Sequence, residues 1–147
     1  MTGHHVSPNL RRHGDSQEVL QWAFLVLAFG FWAAAKAKDS PIMPSEVYGA
    51  WVVSIDAEIW AGSIMLAASL FLMGIIINGR WRWSPLLRLC GALWHVGTLG
   101  IFAISAAGSE YGDFMTLAAG VFCGVHAWFF ALNLADFRWA LKRNDRT

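Results

Sequence analysis

The chain reads as an all-α integral membrane protein whose four transmembrane helices form an antiparallel bundle, with the N- and C-termini cytoplasmic. Three observations predict this class. Of the 147 residues, 56% are hydrophobic and 14% charged, with a mean hydropathy of +0.45, whereas about a quarter of the residues in a soluble domain carry charge. The apolar residues fall into four blocks rather than amphipathic stripes, each near the roughly 20 residues that cross a bilayer's hydrocarbon. The basic residues collect at alternate block ends, as cytoplasmic flanks do. The formal net charge of +1 supplies no field for nucleic acid and speaks against such a partner.

Residues 1–14 are expected to be a disordered cytoplasmic N-terminus, residues 15–139 the transmembrane domain, and residues 140–147 a basic cytoplasmic tail. Asp15-Ser16-Gln17-Glu18 supplies a helix start with a capping-box partner. The first span, about residues 19–37, then carries the apolar block Val19 to Ala35 and stops at Lys36 and Lys38. Arg11-Arg12, the apolar stretch and Ala33-Ala34-Ala35-Lys36-Ala37 also imitate a cleaved secretory leader. The acidic Asp15 and Glu18 and the length of the apolar stretch favour a retained span. The second span, about 50–78, has an uninterrupted apolar core from Ile59, and Asn78-Gly79 supplies its stop. Its Asp56 and Glu58 point about 200° apart on a helix and belong at the outer interface rather than in an acid–base pair. The third span, about 85–108, opens on Pro85, whose missing N–H costs nothing in a first turn. The fourth, about 113–137, follows a tight turn from Ser109 to Gly112.

With the N-terminus inside, Arg11, Arg12, Arg80, Arg82, Arg88, Arg138, Lys142, Arg143 and Arg146 lie at cytoplasmic flanks, leaving Lys36 and Lys38 outside among the 11 basic residues. That orientation fits a multi-pass protein of the cell inner (plasma) membrane. Trp22, Trp81, Trp83 and Trp139 are then expected at the inner boundary and Trp32, Trp51 and Trp60 toward the outer one, where indoles prefer the headgroup region.

Polar side chains at membrane depth must find one another or a ligand. Because the third and fourth spans run antiparallel about a turn centred between Glu110 and Tyr111, residues equidistant from it share a depth. His95 pairs in this way with His126, and Arg88 with Asn133; Trp94 and Trp128 fall at the histidine level. Seven residues separate Arg88 from His95 and His126 from Asn133, which sets each pair on one helix face. Arg88, His95, His126, Asn133 and Asp136 are therefore expected to form a structural polar cluster, with the imidazoles hydrogen-bonded across or along the helices and no cofactor. The alternative is a b-type haem held by His95 and His126 in an electron-transfer subunit, although a tight turn between its two ligand helices leaves little room for a porphyrin. A small transporter or proton-linked protein is a further reading, without the inverted repeat or discontinuous helices that would recommend it. No nucleophile with its base, zinc-ligand spacing or phosphate-cradling loop is present, so no catalytic residue and no metal are expected.

On the fourth span Ala119, Cys123, Ala127, Ala131 and Ala135 recur every four residues beside Thr116, Gly120 and Gly124. Such ridges let helix backbones approach closely in lipid, which makes Gly120, Gly124, Ala127 and Ala131 the expected helix-packing residues, within the bundle or between copies. Cys90 and Cys123 are expected as small apolar residues of the spans. The expected partners are the lipid bilayer and another copy of the chain or other subunits of a membrane complex. The functional expectation is a non-catalytic protein acting through helix packing or assembly in the bilayer, in its most concrete version holin-like.

Overall fold

The computed structural model describes residues 8–37, 56–77, 83–109 and 113–144. These residues form four helices, α1 (Pro8–Ala37), α2 (Ala57–Ile76), α3 (Ser84–Ala107) and α4 (Asp113–Asn144). Three stretches, Glu58–Ile76, Ser84–Ala107 and Thr116–Lys142, are long and apolar enough to cross a membrane. Within a helix every backbone donor meets an acceptor of its own segment, which is what a hydrocarbon medium demands.

The helix ends follow local chemistry. α2 starts from Asp56, whose carbonyl accepts from the backbone N–H groups of Ile59 and Trp60 while its side chain makes no cap bond. Pro85 stands in the first turn of α3, and Gly108 ends that helix with its N–H on the Ser105 carbonyl. α4 is 32 residues long, so at 1.5 Å per residue it outruns the hydrocarbon and carries Arg138 and Lys142 of the expected inner flank on continuous helix. α1 starts at Pro8, well before Val19; a proline is suited to a first turn. Residues 8–14 are accordingly helical, and the Asp15 to Glu18 segment, expected to open the helix, lies inside it. Trp51 and the turn residues 110–112 fall outside the described residues.

Consecutive helices pack as antiparallel neighbours, α1 on α2, α2 on α3 and most extensively α3 on α4, while α1 closes lightly onto α4. The tightest seam joins α2 to α3, where Ala67, Ala68 and Phe71 of α2 and Gly91 and Ala92 of α3 are buried. A Cβ added at Gly91 would stand 2.7 Å from the Ala67 carbonyl oxygen and 2.9 Å from Phe71 Cβ, and one at Gly74 would stand 2.6 Å from Arg88 Cγ. Glycine at these two positions is what allows the helices to approach so closely. Phe71 also meets Phe129 of α4, their ring centroids 6.1 Å apart, and Leu20 of α1 packs against the same cluster.

The small-residue ridge of α4 is not part of this packing. Ala119 is buried, but Gly120, Gly124, Ala127 and Ala131 are exposed on the outside of the bundle, and a Cβ added at either glycine would meet nothing within 4 Å. Sequence reasoning leaves open whether these residues pack within the bundle or between copies; in the structure they lie outside the bundle's own contacts. The repeat of small residues in the sequence marks a smooth face, and the direction of that face is set by which side of α4 meets α3.

Candidate functional site

Burial in this bundle is inverted relative to a water-soluble protein. Among the described residues, the large side chains removed completely from the surface are Arg88, His95, His126, Gln17, Gln21, Asn133 and Asp136, with Phe71 as their hydrocarbon companion. Large apolar side chains such as Ile104 (79% exposed) and Phe114 (76%) point outward. Buried polar groups of this kind require partners, and for Gln21, His95, His126, Arg88 and Asp136 the structure supplies them in two layers.

The upper layer is a clamp of three side chains from three helices. His95 Nε2 lies 3.0 Å from Gln21 Oε1, Gln21 Nε2 lies 3.1 Å from His126 Nε2, and His126 Nδ1 lies 2.8 Å from the Phe122 carbonyl oxygen. These contacts fix the proton positions. A carbonyl only accepts, so His126 carries its hydrogen on Nδ1. Its Nε2 then accepts from the Gln21 amide, which leaves Gln21 Oε1 to accept from His95 Nε2–H. The imidazole centroids stand 4.4 Å apart with the ring planes tilted by 51°. They are linked through the glutamine, where sequence reasoning expects a bond across or along the helices; the Phe122 contact is the bond along. Phe24 caps the layer, 5.0 Å from the His95 ring and 4.9 Å from the His126 ring.

The lower layer is ionic. Arg88 Nη2 donates to Asp136 Oδ2 at 3.2 Å, both side chains essentially without exposure. Gly74, having no side chain, leaves room on α2 for the Arg88 stem to pass. Asn133, expected level with Arg88, is buried on the inward face of α4, but the guanidinium donates to Asp136, one turn further on. The charge makes that choice, because a carboxylate neutralises a buried guanidinium and an amide does not.

The structure therefore brings His95, His126, Arg88 and Asp136 together and buries Asn133 beside them, but it leaves the indoles out. Trp94 is half exposed and donates to Ser63 Oγ at 2.6 Å, and Trp128 is exposed. Trp94 directly precedes His95 and so points about 100° away. Equal depth does not make an equal azimuth. Trp22 follows Gln21, whose partner His95 stands near the middle of α3, because α1 sits higher in the bundle, toward the Ala107 end of α3, than its apolar block implies.

The residues missed by sequence reasoning are Gln17 and Gln21. Both are fully buried, one turn apart on one face of α1. The available sign was Gln21 itself, an isolated amide in the apolar run Val19-Leu20-Gln21-Trp22-Ala23-Phe24-Leu25. Replacing Gln21 by Leu is expected to cost about 1 to 3 kcal/mol, since it strands both imidazoles, toward the low end because membrane hydrogen bonds average about 0.6 kcal/mol. His126→Gln, which keeps a hydrogen-bonding group, should cost less. Unfolding midpoints in mixed detergent micelles measure both, and equal midpoints would show that the clamp contributes nothing to stability.

Among the described residues, no three His, Cys, Asp or Glu side chains converge as a metal site. Cys90 and Cys123 are free thiols, Cys90 exposed and Cys123 directed at the Val96 carbonyl oxygen at 3.6 Å. The fold and site define an all-helical bundle of the small membrane-protein type, apolar outside and polar within. No family model matches the chain, and no curated protein or solved structure does either.

Proposed function

We propose that the chain is a four-span inner-membrane protein with both termini cytoplasmic, acting without catalysis of its own through helix packing and assembly in the bilayer. The observation that carries this reading is the inverted burial, with hydrocarbon on the outside and a hydrogen-bonded polar interior. Such a surface suits lipid tails, and such an interior holds helices in one register by hydrogen bonds that a slip would break.

On this reading α1 crosses with Gln21 near the midplane. Gln21 is level with His95 at the middle of α3. Half of roughly 30 Å of hydrocarbon, about ten residues of helix on either side, sets Arg11 and Arg12 at the inner boundary and leaves Lys36 about five residues past the outer one. On the same count the exposed Asp15 lies about 9 Å, and Glu18, which accepts from Trp22 Nε1 at 3.4 Å, about 4.5 Å to the inner side of the midplane, both within the hydrocarbon depth, where a carboxylate is costly.

Self-association, and with it the holin-like version, is supported by the outward ridge of Gly120, Gly124, Ala127 and Ala131, a surface open to a second copy. The haem reading fits the clamp poorly. Two axial imidazoles face an iron from opposite sides, whereas here both Nε2 atoms are engaged by Gln21 and the ring centroids are 4.4 Å apart. A proton relay through this layer meets the Gln21 carboxamide, which has no titratable proton to pass on.

Reporter fusions test the topology. Fusions at Ser45 and Ser109 are expected to read as outside and one at Ser84 as inside. A cytoplasmic reading at Ser109 would overturn the four-span arrangement.

A further inference from the structure

Two carboxamides below the histidine clamp have no partner among the described residues. Gln17 and Asn133 are fully buried, and neither the oxygen nor the nitrogen of either amide has a hydrogen-bond partner among the described residues. Gln17 lies four residues, about 6 Å, below Gln21 on α1, and Asn133 lies seven residues, about 10.5 Å, below His126 on the antiparallel α4. Gln21 and His126 are hydrogen-bonded and hence nearly level. The two amides therefore belong to one zone of the interior, between the clamp and the Arg88–Asp136 ion pair.

The chemistry of this zone selects its guest. Arg88 and Asp136 already balance each other, so a charged guest would bring an uncompensated charge into a medium that penalises it heavily. Two amide oxygens call for a donor and two NH₂ groups for an acceptor, so one neutral guest must do both. Water is the smallest molecule that does, and buried waters characteristically make about three hydrogen bonds to polar groups left unmet by the protein.

We propose that Gln17 and Asn133 form a binding site for internal water, held between the Gln21–His95–His126 clamp and the Arg88–Asp136 ion pair. The site satisfies four amide atoms without adding charge. The inference rests on the described helices and does not depend on which way the termini face.

Gln17 and Gln21 are the chain's two glutamines, which gives an internal control. Full-length protein carrying ¹⁵N in its glutamine side chains, in lipid vesicles, shows two NH₂ pairs whose magnetisation transfer from water can be compared. The expected result is strong transfer to Gln17 and several-fold weaker transfer to Gln21, whose NH₂ is committed to His126; contact with a His126 ring proton identifies the latter pair without any variant. The same measurement with labelled asparagine should show transfer at Asn133, assigned by its loss in Asn133→Leu or by contact with Asp136. A direct Gln17–Asn133 contact without water transfer, equal transfer to both glutamines, or transfer from lipid headgroup protons instead of water would each overturn the proposal.

Discussion

Asp136→Leu is expected to destabilise the bundle by about 3 to 5 kcal/mol, the characteristic cost of removing one partner from a buried ion pair. The Arg88 guanidinium, fully buried and 3.2 Å from the carboxylate it would lose, would be left as an uncompensated charge among apolar helices. It cannot escape easily. Its stem runs over Gly74, with Cγ where a Cβ on α2 would stand, so snorkelling toward the inner surface requires α2 and α3 to separate. The double variant Arg88→Leu, Asp136→Leu removes both charges and is expected to be far milder than either single change, because apolar replacement of a whole buried pair is often neutral or stabilising. Detergent unfolding of the four proteins forms a double-mutant cycle. A single variant no worse than the double would show that the charges do not depend on each other.

The same residues show how much was legible in the sequence. Helix number, antiparallel order and the depths of His95, His126, Arg88 and Asp136 are readable because a short turn between α3 and α4 ties depth to residue number, and because a polar residue in an apolar run must face inward. That rule marks the bridging residue Gln21 as inward-facing but leaves its height open. Gln21 is on α1, whose connection to α2 is long, so no turn fixes its height against α3, and its own apolar block suggests a lower start. The indoles failed for another reason: sequence spacing fixes depth and leaves azimuth to packing, and one residue's step turns Trp94 away from the site that His95 enters. The choice of Asp136 over Asn133 for Arg88 is likewise energetic, decided by charge rather than by register.

Packing gives the second large effect, and it separates the two sets of small residues in the chain. Gly91→Ala is expected to cost about 1 to 3 kcal/mol, the usual range for overpacking a close contact, because the new methyl would stand 2.7 Å from the Ala67 carbonyl oxygen and 2.9 Å from Phe71 Cβ. Both obstacles are held by helix backbone, so relief comes only from moving α2 off α3. That movement would also disturb Gly74 against the Arg88 stem, which couples this seam to the ion pair. Gly124→Ala should behave in the opposite way. Its Cβ would meet nothing within 4 Å, and exchanging glycine for alanine in a helix interior favours the helix by up to about 1 kcal/mol. Unfolding midpoints of the monomer should therefore fall for Gly91→Ala and hold or rise for Gly124→Ala, and a rise in both would remove the close α2–α3 contact from the description of the fold. The bulkier Gly124→Val carries the comparison to assembly: if the outward ridge meets a second copy, crosslinking between chains should drop in this variant while the monomer's unfolding midpoint stays near the parent value. An unchanged crosslinking yield would show that the ridge faces lipid alone.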